Sequence, residues 1–128
     1  MSLVLDAGGL SALAGQRARL HELRRRGLWP AQVPTVVLTE ALTGDHRRDF
    51  HLHRLLRTCQ VRDVDEAQAR EAARLRAATG RAGNISAVDA LVAALAGGLP
   101  DGVVLTSDPL DLRALAEHTA MALRVVST

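Results

Sequence analysis

Lysine and tyrosine are absent from this 128-residue sequence, cysteine occurs once, and Trp29 and Phe50 are its only tryptophan and phenylalanine. Without lysine there is no Walker-type phosphate grip, no Schiff-base chemistry and no receiver-type lysine. The single Cys59 allows neither an intrachain disulfide nor a cysteine zinc cluster, and it points to a reducing cytoplasm as the natural home. With no base near it in sequence, Cys59 reads as a small buried hydrophobe. The first residues carry no basic stretch before the apolar run, and no apolar run approaches about 18 residues. Neither a visible export signal nor a membrane span is expected.

What is present is arginine. Sixteen basic residues stand against fourteen acidic ones, for a formal charge of +2, and fourteen of the sixteen arginines lie at or before Arg81. A basic face toward an anionic partner and a set of solvated helix surfaces are both open readings. The length suits a single domain, residues 1–128, and leaves no room for a second core.

The chain is organised around Gly102 to Pro109. Val103, Val104, Leu105 and Thr106 run without polar alternation, as in a parallel strand buried on both faces. Asp108 follows as a helix cap and Pro109 suits the first helical position, so a carboxylate lies just beyond the strand's carboxyl end, where open α/β sheets place ligands. The same strand-then-acid order recurs at Leu3-Val4-Leu5 before Asp6. It recurs again at Val33 and Val36-Val37-Leu38, interrupted early by Pro34, before Thr39-Glu40.

Between these lie a short apolar turn to Ala14, a helix over 16–26 stopped by Gly27, and a Leu28-Trp29-Pro30 linker. The later segments read as a helix over 45–57, a weak edge strand over 60–64 and a helix from its Asp65 cap to Ala78, ended by Gly80. An alanine-rich helix from Ser86 to Ala96, a helix over 109–118 and a last strand over 123–126 follow. Strands alternating with helices predict a three-layer α/β/α sandwich with a mainly parallel sheet, its central strands at 3–5, 36–38 and 103–106.

Each carboxylate has a structural explanation. Asp89 completes an S-x-x-D capping box with Ser86, Asp108 and Asp6 are placed as caps, and Glu40 favours a helix start through the macrodipole. Capping does not explain why Asp6, Glu40 and Asp108 each follow a buried-looking strand while Asp89 opens the helix before the last of them. In a parallel sheet such positions converge at one edge. Crowded carboxylates repel and raise one another's pKa unless a cation neutralises them, and an all-oxygen set suits Mg²⁺ or Mn²⁺. His51-x-His53, by contrast, reads as helix surface, because residues i and i+2 do not face each other.

Taken together, Val4-Leu5-Asp6, Thr39-Glu40, Ser86-Ala87-Val88-Asp89-Ala90-Leu91 and Leu105-Thr106-Ser107-Asp108 resemble the PIN-domain ribonucleases, and the compact length resembles the toxin of VapBC-type toxin-antitoxin pairs. The resemblance spans essentially the whole chain. It implies a metal-dependent endoribonuclease in which Asp6, Glu40, Asp89 and Asp108 bind Mg²⁺ or Mn²⁺, with Thr106 a supporting hydroxyl. It also implies an RNA substrate, a cognate antitoxin whose tail covers the acidic cleft, and a homodimer; the Leu28-Trp29-Pro30 linker and the helices around it either supply an apolar groove for that partner or tuck into the core, since large aromatics are usually highly buried. Two positions depart from the family pattern: Gly8, where a hydroxyl or amide side chain is common, and Leu110, where a further acid is common. Asp111 is the candidate for that outer role. These departures keep open a second class of function, a degenerate PIN-like module that binds RNA or protein and uses the acids as caps. With two aromatics, any RNA grip falls to arginine and phosphate. A phosphatase of the D-x-D type is disfavoured, since Asp6-Ala7-Gly8 lacks the second aspartate.

Overall fold

The structure, a computed structural model, describes residues 1–128. The strands are β1 (Ser2–Leu5), β2 (Gln32–Pro34), β3 (Gln60–Arg62), β4 (Gly102–Thr106) and β5 (Leu123–Ser127). The helices are α1 (Ala7–Ala14), α2 (Arg17–Arg25), α3 (Val37–Ala41), α4 (Phe50–Leu56), α5 (Glu66–Ala78), α6 (Ala87–Gly97) and α7 (Pro109–Ala116).

All strand pairs are parallel, in the order β3-β2-β1-β4-β5. Every residue of β4 is buried, as is β1 from Leu3 to Leu5. That lack of alternation is what a sheet covered on both faces requires. The cover comes from two packed helix sets, α1 to α4 and α5 to α7, with α1 and α6 each touching both β1 and β4. The 24 buried hydrophobic residues form one cluster.

Local chemistry sets the element ends as the sequence predicts. Asp65 and Gln68 form a reciprocal capping box at α5. Gly27 and Gly80, at φ of 75° and 70°, take the left-handed conformation just past α2 and α5.

Two expectations need correction. The second strand lies at 32–34, not 36–38; Val36 to Leu38 begin α3 instead. Val33 and Val37 are both fully buried, so a short apolar run served a strand and then a helix, which periodicity over so few residues cannot separate. Pro34 closes the strand rather than interrupting it.

The helix expected over 45–57 spans only Phe50 to Leu56. Ahead of it, Asp45 Oδ1 accepts the Arg47 N–H, and the buried Asp49 carboxylate accepts the N–H groups of Thr43 and Gly44 and the Thr43 hydroxyl. Such side-chain bonds offer the backbone an alternative to helix.

Of the two placements open to the Leu28-Trp29-Pro30 linker, the structure takes the inward one, with Leu28 at the edge of a groove it shares with Leu23, Val103 and Val126. Leu28 is buried, and the half-buried Trp29 donates its indole N–H to the Thr58 carbonyl and hydroxyl at 3.1 Å. No helix is long and apolar enough to cross a membrane.

Candidate active site

The chain leaves β1 for β2 on one side, while β4 and β5 extend the sheet on the other, so the order reverses between β1 and β4. In open α/β sheets the crevice beyond such a pair of strand ends is where ligands bind. Leu5 pairs with Leu105, which sets Asp6 beside Thr106.

Asp6 is 5% exposed and doubly held. Its Oδ1 accepts the Gly9 N–H at 2.7 Å, capping α1, and its Oδ2 accepts the hydroxyl proton of the fully buried Thr106. The same Thr106 oxygen accepts the Asp108 N–H at 2.9 Å. One hydroxyl thus fixes the carboxylate after β1 and the backbone after β4. A Cβ on Gly9 would lie 2.2 Å from the Leu105 carbonyl oxygen, so only glycine lets α1 start this close to β4.

Asp89, Asp108 and Asp111 each bring a carboxylate oxygen within 4.8 Å of the others. The two helix starts that supply them spend little of this charge on capping. Ser86 Oγ accepts the Asp89 N–H at 3.0 Å, but the return bond of the expected capping box is not made. Asp108 occupies the cap position of α7 with no side-chain bond to the helix.

Burial first, then the charges of Asp108 and Asp6, push the Asp89 carboxyl from 3.8 up to about 6, against a smaller pull from Ser86. Burial and the neighbouring Asp111 carboxylate also push Asp108 upward. The group is a concentration of negative charge with unspent oxygens, the donor set that a hard divalent cation fits.

Glu40 is exposed on α3, which packs on α1, and lies outside the trio. Leu110 is 74% exposed, and the acid that joins Asp89 and Asp108 is Asp111, one residue on. At Gly8, a Cβ would stand 1.8 Å from Ser107 Oγ and 2.5 Å from Ser107 Cβ. Ser107 therefore occupies the space a side chain at position 8 would take, and it puts a hydroxyl there.

Sequence reasoning missed Ser107 in this role, and it missed Arg81. The Arg81 guanidinium binds Asp111 Oδ1 at 3.0 Å and supplies the rim's one ion pair. The signal lay in the Gly80-to-Asn84 loop just ahead of the Ser86 motif.

The remaining candidates stand outside this site. Burial pushes the Cys59 thiol up to about 11, away from nucleophile chemistry. His51 and His53 line different grooves on the two flanks of α4.

No protein-family model matches the sequence, and no curated protein matches it. Solved structures do. A chain of the DNA-bound VapBC structure from Salmonella typhimurium matches with a TM-score of 0.73 at 18% identity, over 99% of this chain and 98% of that one. VapBC2 from Rickettsia felis, bound to a DNA fragment from their promoter, gives 0.68 at 12% identity over 98% and 99%. PAE2754 from Pyrobaculum aerophilum gives 0.63 at 21% identity over 97% and 83%. At these identities the likeness is one of architecture: the chain has a VapC-like PIN fold.

Proposed function

We propose that the chain is a metal-dependent endoribonuclease that hydrolyses RNA phosphodiester bonds and serves as the toxin of a toxin-antitoxin pair. The observation that carries this reading is the convergence of Asp89, Asp108 and Asp111 within 4.8 Å beside the β1/β4 switch point, their carboxylates largely free of capping work. Likeness in fold to VapBC chains supports the toxin role.

In this reading Asp6, Asp89 and Asp108 hold Mg²⁺ or Mn²⁺, Asp111 and Thr106 support them, and Glu40 enters on the family resemblance alone. A cation held there would supply an activated water and a counter-charge for the phosphoryl oxygens. The chain's own groups do the rest. Thr106 and the Gly9 N–H hold Asp6 in one orientation. Asp89, whose carboxyl is pushed up by burial and by the charges of Asp108 and Asp6 when no cation is bound, is a ligand whose buried charge a cation would relieve. Arg81 holds Asp111 in place through its ion pair.

The test is cleavage of an RNA oligonucleotide by the purified chain with Mg²⁺ or Mn²⁺, its loss in EDTA, and its loss in Asp89→Asn and Asp6→Asn at nearly unchanged melting temperature without metal. Asparagine caps about as well as aspartate but removes a charged ligand. Variants that cut like the parent, or a parent that neither cuts nor binds divalent ions by calorimetry, overturn the proposal. The same reading places the chain in a homodimer held by an antitoxin. A strict monomer in light scattering at high concentration, with no small protein co-purifying from its native operon, counts against that part.

A further inference from the structure

The acids repel the polyanion they are proposed to cut, so the affinity for RNA must arise elsewhere on the surface. A groove of about 420 Å³ lies where the last turn of α1 meets α2 and α4. Its charged and titratable lining is entirely basic: Arg17, His21 and Arg24 from α2, His51 and Arg54 from α4. No carboxylate faces into it.

Of the thirteen arginines outside the groove, eight bond to the protein through their side chains, Arg19, Arg62 and Arg76 among them. On the same helix Arg25 and Arg26 are tied to Glu22, and elsewhere Arg70, Arg74 and Arg81 are tied to acids. Arg17, Arg24 and Arg54 make no hydrogen bond or ion pair with the protein. Instead the Arg24 guanidinium sits 5.7 Å from the centre of the Trp29 ring and that of Arg54 5.8 Å from the Phe50 ring. Contact with a ring face steadies a guanidinium while leaving its N–H donors open.

We propose that this groove binds the phosphodiester backbone of the RNA to one side of the cut; the inference rests on the nuclease reading above. The planar guanidinium fork matches pairs of phosphate oxygens. α1 joins the two places, with Asp6 capping its first turn and Leu13 and Ala14 lining the groove at its last. Eight residues of helix separate them by about 12 Å, within reach of a few nucleotides. Leu13, Ala14, Leu20 and Leu55 complete the lining, and none of the chain's large exposed hydrophobes is among them, so its unpaired cations favour a polyanion.

The test is fluorescence anisotropy of a labelled single-stranded RNA in EDTA, where no cleavage occurs, for the parent and for the Arg17→Ala/Arg24→Ala/Arg54→Ala variant. Affinity is expected to fall on the order of 10- to 100-fold, and the salt dependence to lose about 2 from its logarithmic slope, about 0.7 for each phosphate contact removed. The corresponding triple lysine variant regains much of the binding, whereas Arg25→Ala/Arg26→Ala binds like the parent, all with parental melting temperatures. Equal RNA affinity in the triple alanine variant overturns the proposal, as does displacement of RNA by polyglutamate at matched charge, which would assign the groove to an acidic polypeptide. Cleavage with Mg²⁺ separates the two claims. A parent that cuts RNA with a KM unchanged in the triple variant sinks the groove and spares the nuclease. A parent that never cuts but loses RNA binding in the triple variant sinks the nuclease and leaves the groove.

Discussion

Thr106 donates its hydroxyl proton to Oδ2 of Asp6 across one hundred residues of sequence and accepts the backbone N–H of Asp108 with the same oxygen. The two strands that carry the acids are thereby locked at their carboxyl ends by a single buried side chain. Thr106→Val keeps the shape and strips the hydroxyl, leaving Asp6 short of a donor and the Asp108 N–H short of an acceptor. We expect a loss of about 1–3 kcal/mol in urea unfolding, with Thr106→Ser close to the parent. Equal unfolding midpoints for Val and Ser would show that the hydroxyl contributes nothing.

Asp89 makes stability fall with pH in metal-free buffer. The folded carboxyl titrates near 6 and the unfolded one near 3.8, so between those values the folded chain holds the extra proton and loses that advantage as pH rises. Above about 6 the loss is complete and stability levels off. Asp89→Asn is expected to flatten this slope and to be slightly more stable than the parent at pH 7, because one charge has left the cluster. Mg²⁺ should stabilise the parent more at pH 7 than at pH 5, where a proton competes for the site. Melting curves across that range that rise with pH, or that look the same in the variant, would refute this.

Gly8 and Ser107 are expected to be energetically coupled. A side chain at position 8 collides with the Ser107 Cβ, which cannot rotate away. Gly8→Ser should therefore cost about 1–3 kcal/mol in the parent and much less in a Ser107→Gly background, which also moves the hydroxyl to the position where PIN sequences commonly carry one. A double-mutant cycle on urea unfolding measures the coupling. Simple additivity of the two changes would show that the positions do not share the space.

The sequence by itself determined most of the frame. The unalternating runs before Asp6 and Asp108 could be stable only as strands covered on both faces, and the glycines and caps around α2 and α5 fixed helix ends through backbone and hydrogen-bond rules that act within a few residues. It also set Asp6 just after β1 and Asp108 just after β4, and a parallel sheet brings those two ends to one edge.

Tertiary structure alone decided three things. It assigned Val33 to a strand and Val37 to a helix, since both needed the same core and nothing within so short a run distinguishes the two conformations. It chose Asp111 over residue 110 and placed Glu40 outside the trio, because which carboxylates meet depends on how α6 and α7 leave the sheet, a matter of packing over distances that local rules do not reach. And it decided which charges are spent. Asp65 and Asp89 both stand near helix starts in the sequence, yet Asp65 closes its capping box while Asp89 is left among other acids, in a partly buried place where its charge is costly and a cation would relieve it.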